Sequence, residues 1–299
     1  MEHCSAITAG LKTGVDLLPK KERLERGERM ERVLVFGDHQ VPYHDPRANG
    51  LLLDFARYET DEGRGFDKVI DVGDHWDAHQ FTTKFAKEPG AIASIRRDRS
   101  MVAGHYRELE KVLPAIPKVW IEGNHEARLF GFLRDKAPEM LMLLTEEGED
   151  IDVPTILGID NPNLTYVSPY GEVYRHKFGR TGDFIFKHGD KHGLYPAQKE
   201  LASVGNSGMS GHNHRLQVHT NTQEAGHQKA WFSIPAMCNI RGKNCPPGYM
   251  KGSLYRNWNQ GFCDVWFSKE RSAFEVNTHL IEEGVMVANG RLFKDVRGK

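Results

Sequence analysis

The nine residues Val69-Ile-Asp-Val-Gly-Asp-His-Trp-Asp77 decide how the rest of the chain is interpreted. Val69 to Val72 is an apolar run with β-branched residues, which is typical of a buried strand. Gly73 lets the backbone turn, so Asp74 follows the carboxyl end of this strand, where open α/β sheets bind ligands. An aspartate after glycine is also a common turn or helix cap, and for this stretch alone that interpretation is favoured.

A second strand of the same kind precedes it. Arg32-Val-Leu-Val-Phe-Gly-Asp38 is apolar and also ends in Gly-Asp. A helical pattern from Pro46 to Tyr58 lies between the two strands, which predicts a βαβ unit and a parallel sheet. Lys118 to Glu122 predicts a third strand, and the whole pattern favours a two-layer β core with helices outside.

Polar clusters follow five strand-like segments. They are Gly37-Asp-His-Gln40, Gly73-Asp-His-Trp-Asp77, Gly123-Asn-His-Glu126, His188-Gly-Asp190 and Gly211-His-Asn-His214. If the sheet is parallel at its centre, these clusters meet on one rim. They contain carboxylates, amides and imidazoles but no thiolate, a ligand set that suits Mn, Fe or Zn and not a structural zinc site.

Residue spacing within the clusters supports a metal site. In an extended segment residues i and i+2 point the same way, so Asp38 and Gln40 would face one ion while His39 faces away. His212 and His214 have the same relation. Asp74 has two carboxylate oxygens and can bridge two cations.

From Val33 to Arg215 the ordered motifs D-x-H, GD-x-x-D, GNH-E/D, a lone His before Gly, and GH-x-H resemble those of the calcineurin-like metallophosphoesterase superfamily. The resemblance implies a four-layer α/β/β/α sandwich with a dinuclear metal centre. It implies that one metal is bound by Asp38, Gln40, Asp74 and His214, and the other by Asp74, Asn124, His188 and His212. Mn is the metal most favoured, with Fe, Zn or Ni as alternatives.

Gln40 is a departure, because the family usually has His at this position. An amide oxygen is a weaker donor than imidazole, which implies a looser first metal or a preference for a harder ion such as Mn. The pattern Gly-Asp-x-Gln followed by Pro-Tyr is similar to that of phosphoesterases of phages and bacteria.

His125 directly follows a candidate ligand, and the resemblance implies that it protonates the leaving oxygen. Arg128 lies three residues on, on the same face of a helix, where it can bind a phosphate oxygen or be an ordinary surface charge. We expect Asp77 to orient a neighbour or cap a helix, and the aromatic residues Trp231 and Trp258 to pack in the core or to stack on bases.

Bulk properties limit the classes of protein. The 299 residues are 39% hydrophobic and 27% charged with a net charge of -1, which predicts a globular chain with no general attraction to nucleic acid or anionic membrane. No apolar run is long enough to span a membrane, and no secretion signal is apparent. The four cysteines lack a CxxC spacing. We therefore expect a cytoplasmic protein, in the host cytoplasm if phage-encoded.

Two regions are predicted. Residues 1–30 form a charged N-terminal extension, and residues 31–299 form a single catalytic domain with an aromatic, Gly- and Pro-rich segment at 231–267. The basic, aromatic and loop-rich character of its part from Trp231 to Trp258 favours a phosphodiesterase or nuclease acting on DNA, RNA or nucleotides. The alternatives are a phosphomonoesterase acting on phosphoprotein or nucleotide, and an inactive metal-binding scaffold, which only Gln40 favours.

Overall fold

The computed structural model describes residues 30–83, 95–144, 151–222, 228–241, 245 and 257–295. The predicted N-terminal extension therefore lies outside the described residues except for Met30. The strands are β1 (Met30–Phe36), β2 (Lys68–Asp71), β3 (Lys118–Ile121), β4 (Leu164–Val167), β5 (Tyr174–Phe178), β6 (Gly182–Lys187), β7 (Gly208–Ser210), β8 (Gln217–Thr222), β9 (Gln228–Ser233), β10 (Gly261–Ser268), β11 (Phe274–Glu282), β12 (Val285–Ala288) and β13 (Arg291–Lys294). The helices are α1 (Pro46–Asp61), α2 (Ile95–Val112), α3 (Ala127–Lys136), α4 (Pro138–Leu144), α5 (Val153–Leu157) and α6 (Pro196–Val204).

The described strands form two mixed sheets. The first has the order β13-β12-β11-β10-β1-β2-β3-β4, and the second has the order β5-β6-β7-β9-β8. In the first sheet β1 to β4 are parallel to one another, and β10 pairs antiparallel with β1. In the second sheet β6, β7 and β9 are parallel. The βαβ unit predicted from the sequence is thus present as β1, α1 and β2.

Strand β1 shows why the sheets stack. Successive side chains of a strand point to opposite faces. Val33 and Val35 pack in the cluster between the two sheets, whereas Leu34 and Phe36 pack in a second cluster beneath α1. Since all four side chains are buried, the strand lies in the middle of the molecule.

Helix α6 covers the outer face of the second sheet. Its residues Ala197 and Leu201 pack against Ile185 of β6 and Trp231 of β9. Helix, sheet, sheet and helix therefore follow one another through the molecule. This order confirms the predicted α/β/β/α sandwich.

The carboxyl ends of β1, β2 and β3 lie next to one another because these strands are parallel neighbours. Backbone hydrogen bonds continue the pairing beyond the strands. The Asp38 N–H donates to the Gly73 carbonyl at 2.8 Å, and the Gln40 N–H donates to the Asp74 carbonyl at 2.8 Å. The two loops that carry the first predicted ligands are thus fixed side by side.

The stretch from Trp231 to Trp258, predicted to be loop-rich, differs from that prediction at its start, which lies within β9. The wider segment 231–267 ends within β10, which pairs with β1. The β10 residues are almost all buried, so the strand lacks the polar and apolar alternation that marks a half-exposed strand. Residues 242–244 and 246–256 of this segment lie outside the described residues.

Two further expectations concern the chain as a whole. Within the described ranges, none of the helices is long and apolar enough to cross a membrane. Cys238, Cys245 and Cys263 are buried free thiols, in accord with the cysteine spacing, and Cys4 lies outside the described residues.

Candidate metal centre

Three of the predicted ligands form a first group at the end of β1. The His214 Nε2 atom lies 3.2 Å from the Asp38 Oδ1 atom and 3.0 Å from the Gln40 Nε2 atom. All three side chains are buried. The Asp38 carboxylate also accepts the backbone N–H of His212 at 2.9 Å. This is the set that the sequence assigns to the first metal, apart from Asp74.

The other four predicted ligands form a second group. The Asn124 Oδ1 atom lies 2.8 Å from His212 Nδ1 and 3.1 Å from His188 Nε2. His188 Nε2 is in turn 3.2 Å from Asp74 Oδ2. Asp74, His188 and His212 offer ligand atoms that all lie within 4.8 Å of one another, the spacing of side chains that can hold one metal ion. The structure thus brings the seven predicted ligands to one rim in two groups.

Glycines allow the ligand loops to approach closely. A Cβ atom on Gly211 would overlap the Asp38 carboxylate, and one on Gly123 would overlap the Asp74 carboxylate and backbone nitrogen. Any larger residue at either position displaces a candidate ligand. The glycine of each motif therefore has a steric reason that the sequence pattern alone does not reveal.

The backbone of the ligand loops is left-handed, not extended as we expected. Five of the seven predicted ligands have positive φ, namely Asp38 (54°), Gln40 (51°), Asp74 (53°), His212 (71°) and His214 (55°). The alternation argument for residues i and i+2 was therefore wrong in its premise, although each pair does lie on the same rim. Non-glycine residues adopt this conformation at a cost, and such strain concentrates at functional sites.

The charges of the second group favour a bound cation. Burial alone lowers the pKa of His188, but Asp74 and Asp38 raise it overall to about 10. Burial alone raises the pKa of Asp74, but His125 and His188 lower it overall, well below its ordinary range. Burial, followed by the charge of His188, lowers the pKa of His212 to about 4. The carboxylates thus draw a proton onto His188, a proton that a bound divalent ion would replace.

Two side-chain atoms are oriented as metal ligation requires. The His188 Nδ1 atom donates to the Val72 carbonyl at 2.9 Å, so Nε2, which faces Asp74 and Asn124, is the atom that would exchange its proton for a metal ion. The Gln40 Oε1 atom is buried and has no hydrogen-bond partner among the described residues. Buried polar atoms are nearly always satisfied, so this oxygen fits a role as a metal ligand. The donor set therefore fits divalent cations.

His125 lies beside Asp74, with its Nε2 atom 3.5 Å from Asp74 Oδ2. Its Nδ1 atom is 3.1 Å from Asp77 Oδ2. Asp77 thus orients a histidine, one of the two roles expected for it. Arg128 donates to the Asp77 carbonyl and to His125 Nε2, each at 2.8 Å. Arg128 is therefore part of the same cluster and is not a surface charge.

Glu126 was part of a motif in the sequence, but no role was assigned to it. Its carboxylate accepts three backbone N–H groups, from Gly123 at 3.0 Å, Asp74 at 3.0 Å and Trp76 at 2.8 Å. Burial and the nearby Asp74 raise the pKa of Glu126 well above its ordinary range. Glu126 joins the loop after β2 to the loop after β3 and so positions two candidate ligands.

His39 and three tryptophans are not among the predicted ligands, and the structure places them as follows. The ring of His39 faces away from the candidate metal centre and stacks on His75, as the sequence predicted for His39. Trp258 lies edge-on to His214, with ring centroids 4.2 Å apart, so it borders the candidate centre. Trp231 is fully buried in the core, and Arg32 lies over Trp266.

Comparisons with known proteins do not assign a family. No family model matches the chain, and no curated protein matches its sequence. A solved structure to which it is similar is that of the nuclease MPE of Pseudomonas putida, with 16% identity over 73% of this chain and 81% of that chain, at a TM-score of 0.26. A likeness of that size supports no inference about activity, so the function must be inferred from the chain's own geometry.

Proposed function

We propose that this chain is a metal-dependent phosphoesterase of the calcineurin-like type that its motifs resemble. The observation that carries the proposal is the meeting of seven side chains with oxygen and nitrogen donors at the ends of parallel strands, beside a histidine positioned for proton transfer. We assign residues 31–299 to one catalytic domain.

The two groups of side chains correspond to two proposed cation sites. The first is formed by Asp38, Gln40, Asp74 and His214, and the second by Asp74, Asn124, His188 and His212. When bound, a pair of divalent cations acidifies a water molecule and neutralises charge on the phosphate. We propose Mn because the first site contains an amide and two carboxylates but one imidazole, a set that suits a harder ion than zinc.

The proposed acid is His125. Asp77 accepts its Nδ1–H, which fixes the ring so that Nε2 faces the candidate centre. In the structure Arg128 donates to that Nε2 atom. We propose that a phosphate oxygen of the substrate draws Arg128 away, because a guanidinium binds an anion more strongly than a neutral ring. His125 Nε2 is then free to carry the proton that it gives to the leaving oxygen.

We propose a phosphodiester substrate, of a nucleic acid or nucleotide. Trp258 borders the first group, and an aromatic side chain beside the site is a feature of proteins that bind single strands. The basic residues Lys243, Lys251 and Arg256 of the same segment lie outside the described residues, and Arg241 pairs with Glu282. The alternatives remain a phosphomonoesterase and an inactive metal-binding scaffold.

The test compares bis-p-nitrophenyl phosphate with p-nitrophenyl phosphate, each with added Mn and with chelator. We expect faster turnover of the diester and loss of turnover with chelator. Asp74→Asn should abolish turnover, whereas the matched control Asp54→Asn, an exposed residue paired with Arg57 on α1, should not. Preference for the monoester favours a phosphomonoesterase, and no turnover with any metal favours the scaffold.

A further inference from the structure

Four histidines form a second cluster on the other side of the ligand loops, between these loops and helix α2. They are His39, His44, His75 and His105, and we call them the histidine cluster. His39 and His75 stack with ring centroids 4.2 Å apart and an interplanar angle of 24°. The ring of His105 lies 5.4 Å from that of His75 and 4.4 Å from that of His44.

The ring nitrogens of this cluster have the spacing of metal ligands. His75 Nε2 and His105 Nδ1 are 3.2 Å apart. Two ligands on a tetrahedral zinc ion, each at 2.0–2.1 Å, are about 3.3 Å apart. His39 and His75 each offer a nitrogen that lies within 4.8 Å of the other and of an Asp71 oxygen. His75 therefore belongs to two close groups, one with His105 and one with His39 and Asp71.

Asp71 fixes the state of His75. Its Oδ2 atom lies 2.6 Å from His75 Nδ1 and also accepts the Tyr106 hydroxyl at 3.1 Å. Its Oδ1 atom accepts the Gly73 N–H at 3.0 Å. With the proton of His75 held on Nδ1, the lone pair of Nε2 is directed toward His105. A carboxylate behind a metal-bound histidine has this same arrangement.

His39 supplies an independent observation. Its side chain is 1% exposed, and neither of its ring nitrogens has a hydrogen-bond partner of good geometry among the described residues. The Asn49 side chain is near enough to affect the pKa of His39 but does not satisfy either nitrogen. The Nδ1 atom of buried His44 also has no partner there. Buried polar atoms without partners are rare in proteins, and a bound ion would account for them.

The cluster has room for an ion. His39, His75 and His105 line a small cavity of about 10 Å³, which accommodates roughly one water-sized atom. A surface cavity of about 430 Å³ adjoins it and shares Asn49, Leu53 and His105 with it.

We propose that the histidine cluster is a separate site for one Zn²⁺ ion, bound by ring nitrogens of His39, His75 and His105, with Asp71 positioning His75. His44 lies on the remaining side, toward the surface cavity. Since His39 follows Asp38 in the chain and His75 follows Asp74, an ion here would fasten both ligand loops to helix α2. Its role would be structural, and the site does not depend on the proposed phosphoesterase activity.

The primary test counts metal ions. Protein stripped with chelator is loaded with Zn²⁺, freed of unbound metal and analysed by plasma mass spectrometry. His105→Gln is the variant of choice because His105 lies on α2, away from the candidate centre in the chain. We expect it to bind one ion fewer per chain than the wild type, and the matched control His219→Gln on β8 to bind as many. Equal counts for His105→Gln and wild type overturn the proposal.

A second measurement isolates the cluster. The variant Asp74→Asn with His212→Ala removes ligands from the candidate metal centre, and its Co²⁺ form should keep one ion with the visible absorption of tetrahedral cobalt. Adding His105→Gln should abolish that absorption. If the variants do not fold by circular dichroism, the spectrum of the Co²⁺-loaded wild type decides, since the absence of the visible absorption of tetrahedral cobalt overturns the proposal.

Discussion

Replacing Gln40 with Met separates metal binding from folding. The Gln40 side chain makes one hydrogen-bond contact, between Nε2 and His214 at 3.0 Å, and its Oε1 atom has none among the described residues. Met has similar volume and keeps the site filled. Losing one neutral hydrogen bond costs about 1 kcal/mol, which lowers the melting temperature of the metal-free protein by roughly 2–4 °C.

The effect on metal affinity should be larger. Gln40 provides one of four proposed ligands of the first cation, and even residues that only support a ligand change metal affinity about 10- to 100-fold. We expect at least the tenfold loss, which corresponds to about 1.4 kcal/mol. At an Mn concentration that saturates the wild type, Mn should stabilise the folded variant less than the folded wild type, by about the same free energy.

Mn is titrated into each protein, and its binding is measured by isothermal titration calorimetry. The melting temperature and the turnover of the diester are measured at the same Mn concentrations. Gln80→Met is the matched control, because Gln80 is also buried but contacts Asp98 and none of the proposed ligands. An unchanged Mn affinity in Gln40→Met, with a normal fold, would refute the assignment of Gln40 as a ligand.

Three further variants test the proposed acid, the close packing of a ligand loop and a buried ion pair. His125→Ala should lower the rate of diester hydrolysis about 10²- to 10⁴-fold while plasma mass spectrometry finds the metal content unchanged, and an unchanged rate contradicts its role as the acid. Gly123→Ala should lower Mn affinity in calorimetry, because its Cβ overlaps the Asp74 carboxylate. Asp264→Asn should lower the free energy of unfolding in urea at pH 7 by about 1–3 kcal/mol, since it removes one of the two carboxylates that pair with fully buried Arg32, which keeps its partner Glu59. Burial raises the pKa of Asp264, but its hydrogen-bonded partners lower it overall. Its contribution is therefore present above about pH 4 and lost as the pH falls through the lowered pKa, so the variant and the wild type should converge at low pH.

Much of the candidate site was predictable because it follows the topology. Apolar runs such as Val69 to Val72 mark buried strands, and each polar cluster comes where such a run ends. Neighbouring parallel strands end at the same edge of a sheet. The sequence therefore predicted that residues as distant in the chain as Asp38 and His214 lie on one rim.

Local backbone geometry was not predictable in the same way. Left-handed conformations are uncommon even for Asp and His, which adopt them more often than most residues, so Asp38 and His212 could not be placed there from sequence alone. The hydrogen bonds of Glu126 to three backbone N–H groups depend on two loops that are distant in the chain. Strand β10 is buried on both faces, so its sequence lacks the alternation by which strands are recognised.

The left-handed residues explain how the fold supports the candidate site. Each such residue costs about 1–3 kcal/mol, and five of the proposed ligands carry that cost. The compensation comes from backbone hydrogen bonds and not from the ligand side chains: the loops after β1 and β2 pair with each other, and Glu126 holds the loops after β2 and β3. Because these contacts are made by protein atoms alone, the ligand loops are held in place before any cation binds. Binding free energy then goes into coordination rather than into ordering the loops, which is the advantage of a preorganised site.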